Sequence, residues 1–342
     1  MERFKLVLLI TSLFLSQISA LLIEGIGIAV AVSAFTYLGS KVLYSDHEIK
    51  ESCKDEWLEP NITGLQSSLR SRVFGQHLVT ETVLKAVEGH LNNESPSKAL
   101  VLSFNGWTGS GKTFVSKIVA EHIFKRGLES SFVHIIIVGH RYPSQSNVEH
   151  HKRELRDLVT KSVSECPRSL FIFDEIHKMP IGLIDVLSPY LDHYRDVEKI
   201  DYRKSIFIFL SSAGGHLIND AVLNHWKEGM KREDITIKQM EEVINLGEFN
   251  KKGGFWHSSL IENNLIDHFI PFMPLERSRI KMCAKADLEQ KGHPVTEQIL
   301  NNVADELIYF PADLKVFSNS GCKRVSGKVD LIMGRPYNGL RY

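Results

Sequence analysis

Short, nearly unbroken apolar runs alternate along this chain with longer stretches whose apolar residues recur every three or four positions. The runs are 99–104, 132–138, 170–173, 205–212 and 264–272. Their length and near-continuous apolar character predict buried strands of a parallel sheet. Helical spacing marks 114–124 and 147–164, the latter with Leu155, Leu158 and Val163 facing inward. Two further helical segments, 275–290 and 295–307, follow the last strand. Strands alternating with helices predict an α/β fold, a parallel sheet with helices on both faces, followed by a small C-terminal helical lid domain.

The first forty residues have a different pattern. Arg3 and Lys5 precede an apolar stretch at 6–15, and Ser16-Gln17-Ile18-Ser19-Ala20 ends in small residues. This is the layout of a secretory signal peptide over 1–20. A second apolar run, 21–38, carries one charge, Glu24, and is short for a bilayer span; Gly25 and Gly27 weaken it as a helix. A one-leaflet hairpin, a spanning helix and an uncleaved anchor all remain open. Each makes 21–43 a membrane-associating segment, and peripheral or monotopic contact from the luminal side is the expected form. The domain boundaries expected after it are 44–272 for a large nucleotide-binding domain and 273–342 for the lid.

Composition changes this picture little. Forty-one basic residues balance forty-one acidic ones, so no broad field of either sign argues for nucleic acid. The four cysteines, Cys53, Cys166, Cys283 and Cys322, are too widely spaced for a paired zinc motif and agree with an oxidising compartment. Asn61-Ile62-Thr63 is an acceptor pattern for N-glycosylation, on Asn61; Asn93-Glu94-Ser95 also fits, but Pro96 follows it.

The candidate chemistry sits at the carboxyl ends of the predicted strands. Gly106-Trp107-Thr108-Gly109-Ser110-Gly111-Lys112-Thr113 lies between the first run and a helical segment. This is the strand–loop–helix setting of a phosphate-binding loop. Its glycines let successive N–H groups turn toward phosphate oxygens, and the helix N-terminus adds a favourable dipole. Lys112 is placed to reach the β and γ phosphates of ATP, and the Thr113 hydroxyl to ligate Mg²⁺. Leu170-Phe171-Ile172-Phe173-Asp174-Glu175 delivers a carboxylate from a buried strand, with Asp174 sixty-two residues after Lys112. Asp174 is the expected second contributor to the magnesium shell, and Glu175 the group that orients and deprotonates a hydrolytic water. Ser212 ends another strand at the same edge and is the candidate for positioning that water. Lys323, in Gly321-Cys322-Lys323, would sense the γ-phosphate from the lid.

These motifs resemble the torsins, the luminal branch of the Clp-like AAA+ ATPases. The likeness rests on Gly-Trp-Thr-Gly at 106–109, Phe-Ile-Phe-Asp-Glu at 171–175, Gly-Phe-Trp-His-Ser-Ser-Leu-Ile at 254–261 and Gly-Cys-Lys at 321–323. Arg72-Val73-Phe74-Gly75-Gln76 resembles the segment that meets adenine in Clp-type modules, through the backbone near Val73 and Phe74. The resemblance implies an activator-dependent ATPase with chaperone-like remodelling activity. It implies residence in the endoplasmic reticulum lumen and nuclear envelope, assembly into a homo- or hetero-oligomer, and a membrane-anchored partner with a luminal domain. A nucleotide-dependent scaffold with negligible hydrolysis is the alternative.

Several residues refine the likeness. Clp-type modules place a finger arginine in Leu-Asn-Arg-Ile-Asp, whereas Asn263-Asn264-Leu265-Ile266-Asp267 puts Leu265 there. The arginine is then expected from the partner in trans. Many torsins have asparagine at the positions of Thr113 and Ser212, so magnesium handling should be more conventional here and water positioning weaker. By resemblance, Cys53 pairs with Cys166, and Cys283 with Cys322 as a bridge beside Lys323; a redox-sensitive Cys283–Cys322 and two inert structural disulfides both stay open. Tyr142 falls where an unfoldase would carry a pore aromatic, but Pro143 follows and the usual glycine-flanked tip is missing. Threading through a pore is therefore not expected. Asp305-Glu306 is placed toward the activator by analogy alone.

Overall fold

The computed structural model describes residues 51–250 and 253–334. The expected signal peptide and the 21–43 segment lie outside the described residues. Among those described, no helix is long and apolar enough to cross a membrane.

Five strands form one sheet: β1 (Leu100–Gly106), β2 (Val133–Ile137), β3 (Leu170–Asp174), β4 (Ile206–Ser211) and β5 (His268–Phe272). They run parallel in the order β2-β3-β4-β1-β5. Successive residues of a strand point to opposite faces, and both faces here are apolar. Leu102, Phe104, Ile172, Ile208 and Leu210 pack under α1 (Ile62–Arg72), α2 (His77–Leu91) and α3 (Lys112–Ile123). Phe171, Phe173, Phe207 and Phe209 face α4 (Val148–Glu165) and the 176–191 segment. There Phe171 stacks on Phe207 at 4.7 Å and Phe173 lies 5.2 Å from Phe209, cross-strand pairs worth about 0.5–1.5 kcal/mol each beyond their burial.

Two predicted features change. The 132–138 run reads as fully buried, yet β2 is an edge strand with Ile135 42% and Ile137 53% exposed, because it pairs with β3 alone. The 264–272 run becomes a strand only from His268. Asn264 holds a left-handed φ of 53°, and the Asp267 carboxylate accepts the Val101 N–H at 2.8 Å and the Lys98 ammonium at 2.7 Å.

Helices α5 (Gly215–Lys227) and α6 (Ile237–Asn250) build a third apolar cluster, including Ile218, Met240 and Met273. Beyond β5, α7 (Arg277–Gln290), α8 (Glu297–Asp305) and α9 (Val325–Met333) enclose their own core of Ile280, Ala284, Leu288, Val303 and Val329. A two-strand hairpin, β6 (Tyr309–Phe310) with β7 (Phe317–Ser318), completes this helical C-terminal domain. Asp305 and Glu306 make ion pairs inside it, to Arg277 at 2.8 Å and Lys328 at 3.1 Å, tying α8 to α7 and α9.

Both disulfides follow the pairing that the resemblance implies. Cys53–Cys166 joins the segment before α1 to the end of α4 with Cα atoms 5.3 Å apart, and Cys283–Cys322 joins α7 to the turn before α9 with Cα atoms 6.2 Å apart. The first closes a loop across 113 residues. By the chain-entropy argument, cross-linking a loop near that length stabilises by about 4–5 kcal/mol. Replacing Cys53 and Cys166 by serine is expected to lower unfolding free energy by about 2–5 kcal/mol, read as a fall in the urea midpoint. An unchanged midpoint would contradict this.

Candidate nucleotide site

The 106–113 loop begins where β1 ends and closes onto the N-terminus of α3. Gly109 and Gly111 take φ of +79° and +110°, in the range that favours glycine. Gly111 is the N-cap of α3, so the first N–H groups of a twelve-residue helix open onto the loop. Those unpaired donors and the helix dipole suit an anion. Lys112 is buried and donates to the loop's own carbonyls, Gly106 O at 2.6 Å and Trp107 O at 2.9 Å. Its ammonium is therefore held in the loop before any phosphate arrives.

The neighbouring strands bring the acidic groups to the same edge. Thr113 Oγ1 donates to Asp174 Oδ2 at 2.9 Å, so the two expected magnesium ligands are in direct contact. Mg²⁺ takes oxygen donors, keeps several waters and commonly uses one or two protein groups beside substrate phosphates; one hydroxyl and one carboxylate fit that demand. The described residues hold no cluster of three or more His, Cys, Asp or Glu that would make a protein-only cage.

Glu175 adopts the left-handed region, φ 62° and ψ 41°, at the junction of β3 with a 3₁₀ turn. A non-glycine residue there is strained by roughly 1–3 kcal/mol and persists only where its surroundings hold it. The holding group is visible: the 253–254 backbone lies against the turn so closely that a Cβ on Gly253 would come within 2.4 Å of His177 O, and one on Gly254 within 2.3 Å of Ile176 O. Glu175 also pairs with Lys178 at 2.7 Å.

Ser212, half-buried at the end of β4, is linked to that turn by a residue the sequence reading gave no role. Its backbone N–H donates to His177 Nδ1 at 3.2 Å. Accepting there requires a lone pair on Nδ1. His177→Leu is expected to remove this acceptor, whereas His177→Asn keeps an oxygen near the same place. The Ser212 amide should exchange about fivefold faster in the leucine variant and near the wild-type rate in the asparagine variant, as expected for one net hydrogen bond of about 1 kcal/mol. Equal exchange in all three proteins would mean the contact is not formed in solution.

The C-terminal domain reaches the loop through 319–323. Cys322 N–H donates to Gly109 O at 3.2 Å, and Trp107 Nε1–H donates to Asn319 O at 3.1 Å. A Cβ on Gly109 would stand 1.9 Å from Ser320 O, and one on Gly321 2.2 Å from Gly109 O. The Cys283–Cys322 bridge therefore anchors a segment lying directly on the loop. Lys323 is exposed beside it, its Cβ within 3.2 Å of where a Gly109 side chain would begin.

Val73 and Phe74 lie between α1 and α2, and the adjacent Gln76 bonds to Ser110, so this segment also meets the loop. Three other predicted positions lie elsewhere. Asn61 is exposed, capping α1 by accepting the Gly64 N–H at 2.7 Å through Oδ1, which leaves its nitrogen outside that bond. Tyr142 is 1% exposed in the core under α4, and burial pushes its hydroxyl pKa up to about 12; it is not on a pore-facing tip. Leu265 is 3% exposed and packed into that same core. His151 is buried beside it, its ring 5.3 Å from that of Tyr142.

The parallel sheet, the glycine loop at the β1 carboxyl end and the acidic pair ending β3 define an AAA+ α/β module. Solved structures of Hsp104 share this fold. The S. cerevisiae Hsp104–ADP complex superposes with a TM-score of 0.57 at 17% identity, over 90% of this chain and 54% of that one. The closed state of Hsp104 with ATPγS and casein gives 0.55 at 19% identity, over 80% and 47%. This chain thus spans about half the length of the Hsp104 chains it matches. The sequence comparison is closer. Residues 47–173 match the Torsin family and 275–331 the C-terminal domain of Torsin-1A. A torsin-like protein of Caenorhabditis elegans is 38% identical over 320 residues, 92% of this chain and 88% of that protein. The chain belongs to the torsin family and is an AAA+ ATPase.

Proposed function

We propose that this torsin hydrolyses ATP with Mg²⁺ in the lumen of the endoplasmic reticulum and nuclear envelope, remodelling protein or membrane assemblies only when a partner completes its site. The carrying observation is the Thr113–Asp174 contact at 2.9 Å, with Glu175 one residue beyond. Loop 106–113 and the start of α3 hold the phosphates, Lys112 neutralises their charge, and Thr113 with Asp174 holds the metal. Bound Mg²⁺ would supply charge neutralisation at the phosphate oxygens. Glu175 takes the proton of the attacking water, Ser212 orients that water, and Lys323 senses the γ-phosphate from the C-terminal domain. Val73 and Phe74 border the base.

Partner dependence is supported by Leu265. It is an aliphatic residue at the expected finger position and is buried, so it presents no cation to a neighbour. The partner is a membrane-anchored protein whose luminal domain carries an arginine, within a homo- or hetero-oligomer. The apolar 21–43 segment following a signal peptide, the two disulfides and the exposed Asn61 sequon support a luminal, membrane-associated setting. Equilibrium binding of labelled ATP with and without Mg²⁺, beside a Lys112→Ala control, tests the site. Magnesium-dependent binding that the control abolishes is expected, and equal binding by the control would refute the assignment.

A further inference from the structure

Gln76 is 2% exposed and spends its whole amide on backbone. Its Nε2 donates to Ser110 O at 3.1 Å and to Met273 O at 2.8 Å, while its Oε1 accepts the Met273 N–H at 3.0 Å. Ser110 is in the phosphate loop. Met273 follows β5 and begins the connector into α7 of the C-terminal domain. One side chain thus joins two backbone segments on which nucleotide binding and domain movement would depend.

The peptide plane gives this bond a direction. In a trans peptide the C=O of residue i and the N–H of residue i+1 point to opposite sides. With Ser110 O turned toward Gln76, the Gly111 N–H points away from it. Gly111, at φ +110°, has no side chain to resist rotation of that plane, so the donated bond is what sets it.

The surroundings make the contact stiff. Gly75 has φ +67°, and a Cβ there would meet Arg279 Cγ at 3.0 Å and Leu275 Cδ2 at 3.2 Å, both on the C-terminal side of the connector. Arg232, buried, donates to Gly75 O at 2.8 Å, Pro274 O at 2.7 Å and Glu276 Oε1 at 2.9 Å. Residues 75–76 and 273–276 are therefore clamped together by one amide and one guanidinium, and only the amide reaches the loop.

We infer that Gln76 is a positioning residue that aims the Gly111 N–H at the nucleotide phosphates and links phosphate occupancy of the loop to the Met273 connector of the C-terminal domain. The inference rests on loop 106–113 being the nucleotide site. Phosphate drawn to the Gly111 N–H polarises the Ser110 carbonyl, strengthens its bond from Gln76, and holds Met273 more firmly.

The test uses the full chain and the near-isosteric Gln76→Met, with ATP, ADP and adenosine as probes and Lys112→Ala as control. Wild type should bind ATP and the control should not; failure of that comparison removes the site assignment itself. Given a competent site, Gln76→Met is expected to weaken ATP and ADP about tenfold, roughly 1.4 kcal/mol, and to leave adenosine within twofold. Equal weakening of all three probes, or unchanged ATP affinity, would overturn the inference. Amide exchange on wild type is independent of whether the variant folds. The Met273 amide should slow with ATP or ADP and not with adenosine, and an amide indifferent to all three would overturn the inference as well.

Discussion

Glu175→Gln is expected to leave ATP bound and to stop its turnover, lowering the partner-stimulated rate by about 10²–10⁴, the contribution of a positioned general base. Binding should survive because none of its determinants touches the Glu175 carboxylate: the loop, Lys112 and the Thr113–Asp174 contact are separate. Glutamine matches glutamate in size and retains an oxygen to orient water, but it cannot accept a proton. The strained left-handed backbone at residue 175 is backed by the packing of 253–254 on Ile176 and His177, and a glutamine oxygen can still accept from Lys178, so its geometry should persist. The check is turnover and ATP affinity on the same preparation. Unchanged turnover would mean that another group takes the proton; lost affinity would mean that Glu175 belongs to the binding site.

Removing the partner's arginine should be larger still. A finger arginine contributes on the order of 10³–10⁵ to turnover, because it neutralises charge that develops only in the transition state. An arginine-to-alanine variant of the partner should dock and leave hydrolysis at the basal level. Restoring the residue on this chain should not help. Leu265 is packed among core residues such as Phe255, Leu260 and Ile266, so Leu265→Arg buries an unpaired charge instead of extending one to a neighbour. That substitution should cost about 3 kcal/mol or more of stability, read in the denaturant midpoint, with no gain in partner-free turnover. A stable Leu265→Arg protein that hydrolyses ATP alone would show that the missing finger belongs at this position.

What could be read from residue order is local. The loop at 106–113 and the acidic pair at 174–175 announce themselves because the chemistry needs those residue types at fixed short spacing after a strand. The parallel sheet with helices on both faces followed from the alternation of apolar runs with helical segments, but its strand order is set by pairings between distant runs. Other features depended on partners far along the chain. Gln76 meets Met273 across 197 residues, and although 72–76 resembles a base-contacting segment, nothing there points the Gln76 amide at Ser110 and Met273. His177 is legible as a ligand of Ser212 only once β3 and β4 lie side by side. The edge position of β2 was hidden for the same reason: an apolar run of β-branched residues looks alike whether one neighbour or two will pair with it. Tyr142 illustrates the opposite case. The proline after it already argued against a pore tip, and its burial in the core agrees with that reading.

The most direct measurement is single-turnover ATP hydrolysis by this chain, alone and with the luminal domain of a membrane-anchored partner, with Glu175→Gln in parallel. Hydrolysis that needs the partner and disappears in the variant is the expected result. Comparable turnover without the partner would contradict the account.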